Sequence, residues 1–121
     1  MTREQVRALV TEGLVTIGAH TVTHPQLSGL EAGARRREIV ESRAACEELI
    51  GTYVLGFTYP YGDLDDKVRS AVEGAGFAYA CSTRHGPVTA ASDVLALPRI
   101  QVLDWDGDAF DCALRSLAVS N

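Results

Sequence analysis

Apolar residues recur along the chain with two spacings, one typical of amphipathic helices and one typical of buried strands. Spacings of three and four residues predict four helices, and short apolar runs between them predict four strands. The predicted helices are a short one after Thr2, a long one over 31–50, a third after Asp63 and a last one after Asp106 or Asp108. The predicted strands cover 14–18, 54–58, 77–82 and 97–103. This alternation predicts an α/β fold with a mostly parallel sheet and flanking helices.

Capping residues support three of the predicted helix starts. Thr2 and Gln5 have the spacing of a capping box, in which two side chains satisfy the first free backbone N–H groups of a helix. Ser28 and Glu31 repeat this spacing before the long helix. Asp63 stands at the position of an N-cap before the third helix, where a carboxylate accepts from backbone N–H groups.

The same pattern separates a predicted interior from a predicted surface. The large residues predicted to be buried are Ile39, Leu49, Phe57, Phe77, Ile100, Phe110 and Leu114. The three consecutive arginines at 35–37 lie among Glu31, Glu38 and Glu41. We predict that they form ion pairs three and four residues apart on a solvated helix face, rather than a cationic patch for a ligand.

Composition narrows the class of protein. The chain has 121 residues, enough for one domain, of which 46% are hydrophobic and 22% charged. A net charge of −5 argues against a nucleic acid or an anionic membrane as partner. No apolar run approaches the roughly 18 residues of a membrane span, and no apolar signal region follows Met1, so we expect a cytoplasmic protein if the chain is complete. Cys46, Cys81 and Cys112 fit neither a metal pattern nor a disulfide framework and are predicted to be reduced, mostly buried thiols.

Candidate chemistry lies where the predicted strands end. His20 and His24 follow the first strand, and two imidazoles on one turn can share a metal ion, although they could equally be ordinary polar loop residues. Residues 59–63 follow the second strand as a turn, and His85 follows the third. Because carboxyl ends of parallel strands gather at one edge of the sheet, these loops are predicted to lie close together.

With both loops placed, the chain resembles the polysaccharide deacetylase family, carbohydrate esterase family 4. The run from His20 to His24 is similar to the family's His-[Ser/Thr]-x-x-His motif, and 57–62 is similar to its Pro-Tyr-Gly loop. Segments 76–80, 83–86 and 97–102 resemble its later strands, so that the resemblance covers roughly residues 2–103. It implies a partial, distorted (β/α) barrel and a metal-dependent hydrolysis that removes N-acetyl, and sometimes O-acetyl, groups from a glycan.

The resemblance also implies roles for individual residues. His20 and His24 would be ligands of a divalent metal, usually zinc. The backbone N–H of Tyr61 would face the developing oxyanion, while Pro60 and Gly62 would shape the substrate-binding turn; considered alone, these three residues also fit a plain turn. Arg99 could supply a positive charge that many family members carry elsewhere, or could equally be a structural ion-pair residue.

Two family motifs have no counterpart here. The Thr-Phe-Asp-Asp-Gly motif, which supplies the catalytic base and the third metal ligand, is absent, and the Asp pair at 65–66 fits a helix start instead. The Leu-x-His motif that supplies the general acid is also absent. The resemblance therefore implies that residues 1–121 form the C-terminal two-thirds of a deacetylase domain, without its first strand. A homodimer mate or a complementing chain could then supply the missing groups.

Several alternatives stay open at this point. The domain could be inactive, with residual metal or glycan binding, and an α/β binding module with incidental histidines is a third possibility. His85 could act as the acid, although an exposed loop histidine is the simpler interpretation. Trp105 could stack on a sugar ring or cover the end of the sheet, and we favour the cover.

Overall fold

The computed structural model describes residues 1–118 as four α-helices and three strands. In chain order these are α1 (Arg3–Thr11), α2 (Ala32–Ile50), β1 (Gly56–Thr58), α3 (Asp66–Gly74), β2 (Tyr79–His85), β3 (Leu97–Arg99) and α4 (Gly107–Ala118), with a short 3₁₀ turn at Pro60–Gly62. The single domain predicted from the sequence covers residues 1–121, of which 119–121 lie outside the described residues. No helix within residues 1–118 is long and apolar enough to cross a membrane.

The sheet is parallel and has the order β1-β2-β3. This confirms the predicted α/β fold with a parallel sheet and flanking helices; within the described residues the sheet is open rather than closed. Pro98 lies inside β3, which pairs with β2 on one side; a proline is tolerated there because an edge strand does not need every N–H for the ladder. Of the predicted strand over 97–103, only the first three residues form β3.

The predicted strand over 14–18 is wrong. This segment is irregular, and only the next residue, Ala19, pairs with β1, through an isolated parallel bridge to Phe57. The Ala19 N–H donates to the Gly56 carbonyl and the Ala19 carbonyl accepts from Thr58, both at 2.9 Å. An apolar run predicts burial, but Leu14 is 88% exposed, so the run lacks the packing partner that would favour an extended ladder.

The core lies between the sheet and helices α2 and α3. Its largest fully buried side chains include Tyr59, Phe57, Leu27 and Ile39. Of the seven residues predicted to be buried, Ile39, Phe57 and Phe77 are buried, and Leu49 and Ile100 are half-buried. The prediction is wrong for the two α4 residues, Phe110 and Leu114, which are 40% and 49% exposed. Helical spacing shows which residues share a face, but it does not show whether that face packs on the core.

The caps follow the prediction at both ends of the chain and depart from it in the middle. The capping box of Thr2 and Gln5 is confirmed, and Asp106 caps α4 by accepting from Ala109 at 2.8 Å. The capping box predicted at Ser28 is wrong, because the N-cap of α2 is Glu31, without a side-chain hydrogen bond, and the Ser28 N–H donates to the Asp63 carboxylate at 2.7 Å.

Asp63 is consequently not the cap of α3. The N-cap is Asp65, whose side chain accepts from the Val68 N–H at 2.8 Å. The predicted placement of the Asp65–Asp66 pair at a helix start is confirmed. The contact between Asp63 and Ser28 ties the loop after β1 to the loop that precedes α2.

The cysteine prediction holds in part. All three are free thiols, and Cys46 packs half-buried against the core, where burial raises the pKa of its thiol. Cys112 is exposed on α4, contrary to the expectation of burial. Its helix face, like that of Phe110, does not pack on the core.

Candidate functional site

A cleft of about 430 Å³ opens at the carboxyl ends of β1 and β2. It is lined by Gly18, Ala19, His20, Thr58, Tyr59, Tyr61, Thr83 and Arg99. This is the edge of the sheet where the sequence predicted that the histidine loop and the 59–63 turn would meet. Both loops do reach it, each directly after a residue that is paired in the sheet.

His20 is fixed in the cleft through one ring nitrogen. Its Nδ1 lies 2.7 Å from the carbonyl oxygen of Thr58, the last residue of β1. Because a carbonyl oxygen can only accept, Nδ1 carries a proton, and in the neutral imidazole Nε2 keeps a free lone pair. The imidazole is thus oriented by the backbone and offers Nε2 as a base or a metal ligand.

His24 stands beside His20 and also beside Tyr61. Its ring centroid lies 4.7 Å from that of His20 and 4.7 Å from that of Tyr61, edge to face in both cases. The backbone holding it is unusual, since Thr21 and His24 both have positive φ, 64° and 59°. Such conformations cost about 1–3 kcal/mol each for residues other than glycine and persist only where surrounding contacts fix them.

Hydrogen bonds within the turn account for part of that fixation. The Thr21 hydroxyl donates to the His20 carbonyl at 2.6 Å and accepts from the His24 N–H at 3.1 Å. One side chain thereby links the backbones of both histidines. We refer to residues 20–25 as the histidine turn.

Glu38, on α2, holds the middle of the histidine turn. Its carboxylate accepts from the N–H groups of Val22 and Thr23, at 2.8 and 2.9 Å, and from the Thr23 hydroxyl at 2.6 Å. Burial raises the pKa of the Glu38 carboxyl, but hydrogen bonds from the Thr23 side chain and from the backbone of Thr23 and Val22 hold that pKa below its ordinary value. The charged form is therefore the one that the turn favours.

Arg35, one helical turn before Glu38, holds the segment that follows. Its side chain is buried, and its guanidinium donates to the carbonyl oxygens of Leu27, Leu30 and Ser28, at 2.9, 2.7 and 3.4 Å. The prediction that Arg35 and Glu38 form ion pairs on a solvated face is wrong. Both side chains instead satisfy backbone groups of the 22–30 loop, which has no regular structure to satisfy them.

The Pro60–Gly62 turn forms the opposite side of the cleft. Tyr61 has φ 58° and exposes 66% of its surface, whereas Pro60 is buried. Gly62 has φ 70° and lies so close to Thr83 that a Cβ atom there would stand 2.0 Å from its hydroxyl oxygen. Only glycine fits this position, because both the backbone conformation and the space exclude a side chain.

Tyr59 forms the floor of the cleft beneath this turn. Its hydroxyl donates to the Leu95 carbonyl at 2.8 Å, and burial raises the pKa of Tyr59 to about 12. Leu95 is fixed in turn by Asp93, which accepts from the Leu95 N–H at 2.9 Å and forms an ion pair with Arg69 at 2.8 Å. The hydrogen bond from the Arg69 side chain, with that from Leu95, lowers the pKa of Asp93 to about 2.

Arg99 and His85 occupy neighbouring positions with different access to the cleft. Arg99 lines it and donates from Nε to the Ser82 carbonyl at 2.9 Å, rather than to a carboxylate. His85 pairs with Arg99 at the end of β2; it is exposed and is not among the lining residues. The prediction that His85 is exposed is confirmed, on a strand end instead of a loop. Trp105 is 37% exposed, which leaves both of its predicted roles untested.

The donor set fits part of a metal site. Two imidazoles stand side by side, and zinc in catalytic sites takes such nitrogens among three protein ligands. Within residues 1–118, no group of three or more His, Cys, Asp or Glu side chains comes together as a candidate cage. The assignment of His20 and His24 as ligands, and of Pro60, Tyr61, Gly62 and Arg99 to substrate and catalysis, thus stays a prediction at this stage.

The sequence is similar to those of known polysaccharide deacetylases. Residues 1–80, more than half of the chain, match the family model described as polysaccharide deacetylase. The chain is 25% identical over 118 residues to the Bacillus subtilis (strain 168) protein YxkH, whose name contains the words polysaccharide deacetylase. The match covers 97% of this chain and 42% of YxkH, so the chain spans less than half of this curated relative.

Solved structures show the same fold. The Streptococcus pyogenes deacetylase PplD, in complex with acetate, superposes with a TM-score of 0.86 at 20% identity, over 97% of this chain and 50% of that one. A polysaccharide deacetylase from Bacillus cereus gives 0.83 at 21% identity, over 94% of this chain and 36% of that one. The predicted partial (β/α) barrel is thus confirmed as a fold, with the sheet open within the described residues.

Proposed function

Because this chain belongs to the polysaccharide deacetylase family, we propose that it hydrolyses acetyl groups, mainly N-acetyl groups, on a carbohydrate polymer or oligomer. The observation that carries this proposal is the meeting of two turns beside one cleft. His20 and Tyr61 line the cleft, and the ring centroid of His24 lies 4.7 Å from the ring centroids of both. The deacetylase PplD, which shares this fold, was solved in complex with acetate, and acetate is the product of such a reaction. That complex supports the choice of an acetyl group as the substrate's reacting part.

The histidines are proposed to hold a divalent cation, zinc in the first instance. His20 presents Nε2 because its Nδ1 proton is engaged by Thr58, and His24 is placed beside it by the Thr21 hydroxyl. A bound divalent cation would polarise the acetyl carbonyl and acidify a bound water. No residue among 1–118 is proposed as the third ligand or as the general base.

The opposite side of the cleft is proposed to bind the reacting group. The Tyr61 N–H would donate to the oxyanion that forms when the acetyl carbonyl is attacked, and Pro60 and Gly62 give that turn its shape. Arg99, anchored through Nε on Ser82, adds a positive charge to the same cleft. Both groups would act on negative charge that develops in the transition state.

Zinc titration calorimetry on the purified chain, combined with acetate release from an N-acetylglucosamine oligomer, tests this proposal. We expect binding near one zinc per chain that is lost in His20→Ala and His24→Ala. His85→Ala is the matched control and should bind as the unaltered protein does, because His85 is exposed at the end of β2, whereas His24 stands beside His20. Acetate release that is unchanged in both cleft variants would contradict the role of the histidines.

A second candidate is a domain that binds metal or glycan without catalysis. The observation that favours it is the donor count, since His20 and His24 gather no third His, Cys, Asp or Glu within the described residues. Zinc binding that requires both histidines, without any release of acetate, would select this candidate. Acetate release that requires them would exclude it.

A further inference from the structure

We propose that Glu38 is a positioning residue, which sets the spacing of His20 and His24 by fixing the backbone between them. The inference rests on the proposed function, because positioning matters for a shared ligand only if the two imidazoles hold one. The hydrogen bonds of Glu38 go to Val22 and Thr23, the two residues at the centre of the histidine turn, so Glu38 acts on the histidines through the backbone between them.

The contacts are concentrated on one short stretch of backbone. Three donors from two consecutive residues converge on a single carboxylate at 2.6–2.9 Å, and Oε2 accepts both N–H groups. Charge-assisted hydrogen bonds of this kind are about twice as strong as neutral ones. They also require a defined geometry, because both N–H groups must point to the same side of the turn.

This geometry explains how the turn keeps an unfavourable backbone. Thr21 and His24, which flank the two donor residues, both have positive φ, which is uncommon for residues other than glycine and most unfavourable for the β-branched Thr21. The Thr21 hydroxyl links the ends of the turn, and the two N–H groups between them donate to Glu38. Glu38, which lies on α2 and not in the turn, thus provides the hydrogen bonds that fix the middle of the turn.

The position of Glu38 on α2 makes the hold rigid. Arg35 lies one turn earlier on α2 and anchors the carbonyl groups of the segment that follows the histidine turn. An anion that accepts from N–H groups and a cation that donates to carbonyl groups therefore bind one loop from the same helix. The histidine turn cannot shift relative to α2 without breaking one of these two sets.

Glu38→Gln, with Glu41→Gln as control, tests the proposal. The amide keeps the size of Glu38 but removes the negative charge that strengthens its three hydrogen bonds to the turn, and only one of its two terminal atoms can still accept. Glu41 lies one turn further along α2 and is exposed. Two properties are compared, zinc affinity by calorimetry and the amide hydrogen exchange of Val22 and Thr23.

We expect Glu38→Gln to weaken zinc binding about 10- to 100-fold, as outer contacts of metal ligands typically do. Exchange at Val22 and Thr23 should accelerate while the core amides of β1 and α2 keep their rates, and Glu41→Gln should match the unaltered protein in both respects. A general loss of protection with unchanged zinc affinity would mean a merely structural role and would overturn the proposal. Thr23→Val, which removes one of the three donors, provides a second test if Glu38→Gln does not fold.

Failure of this inference can be told apart from failure of the proposed function. If the unaltered protein binds no zinc, the proposed function is overturned, and the exchange of Val22 and Thr23 alone decides whether Glu38 holds the turn. If the unaltered protein binds zinc and Glu38→Gln binds it equally, with unchanged exchange, the inference about Glu38 is overturned and the proposed function stands.

Discussion

The two turns that meet at the cleft hold similar backbones by different physical means. Each contains a residue other than glycine with positive φ, His24 in one and Tyr61 in the other. The Glu38 carboxylate of α2 holds the histidine turn, whereas the Pro60–Gly62 turn is held by buried Pro60 and by close packing of Gly62 on Thr83. A carboxylate can hold a turn that must stay exposed, while packing suits one that lies over the core. We therefore expect the histidine turn to be weakened by removal of the Glu38 charge, and the Pro60–Gly62 turn to be weakened by a larger side chain at Gly62.

The largest effect is expected where packing is tightest. Gly62→Ala should lower the free energy of unfolding by about 2–4 kcal/mol, because its methyl group would meet Thr83 and its φ is positive. Gly51→Ala is the matched control, since Gly51 has φ 74° but open space around it, and should cost about 1 kcal/mol. Urea unfolding measures both. Equal losses would show that packing does not hold the Tyr61 turn.

The second-largest loss of stability is expected at Arg35, whose guanidinium anchors the loop that follows the histidine turn. Arg35→Met should cost about 2–3 kcal/mol, because it leaves the buried carbonyl group of Leu27 and the half-buried one of Leu30 without their donor. Arg36→Met changes an exposed arginine on the same helix and should stay within about 0.5 kcal/mol of the unaltered protein. If the two variants unfold at the same urea concentration, the buried guanidinium does not anchor the loop.

The floor beneath Tyr61 offers a smaller test. Tyr59→Phe removes the hydroxyl that donates to Leu95 but keeps the buried ring, and should cost about 1 kcal/mol. Tyr53→Phe, at a tyrosine that is 80% exposed, should leave the thermal midpoint unchanged. A Tyr59→Phe variant as stable as the unaltered protein would show that this polar contact does not support the turn.

The smallest effect concerns pH. The pKa of Asp93 is lowered to about 2, first by Arg69, so this contact stabilises the folded state fully above about pH 4 and is lost as the pH falls towards 2. Both side chains are a third or more exposed, so screening should keep the contribution below about 1 kcal/mol. Asp93→Asn should flatten that part of the stability–pH curve. An unchanged slope between pH 4 and pH 2 would contradict the assignment.

Sequence alone predicted the parts of the fold that depend on short-range pattern. The long helix over 31–50 was predicted to within a residue, because apolar spacing and the stop at Gly51 are local signals, and Gly51 does adopt the left-handed cap. The meeting of the histidine turn with Tyr61 was predicted because parallel strands bring their carboxyl ends to one edge. Both predictions are confirmed, whereas the apolar run over 14–18 is also a local signal but has no packing partner and forms no strand.

The errors at the predicted caps and at the arginine run share a cause, which is competition between local and distant partners. Ser28 and Asp63 each fit a cap by spacing, yet they bond to each other across 35 positions. Arg35 and Glu38 fit an ion pair on a helix surface, yet both bind the loop ahead of α2. A signal for these contacts is present in the sequence: two opposite charges lie one helical turn apart, directly after a loop without regular structure. Spacing alone, however, favours an ion pair within the helix over contacts with that loop.

The proposed function depends above all on His20 and His24 acting together on one cation, and the imidazole ¹⁵N spectrum during a zinc titration measures this directly. Before zinc is added, His20 should show a protonated Nδ1, as its contact with the Thr58 carbonyl requires. With zinc, the nitrogen signals of His20 and His24 should shift together and saturate near one equivalent, while those of His85 stay in place. A shift at His85 equal to the others, or no joint change at His20 and His24, would contradict the shared site.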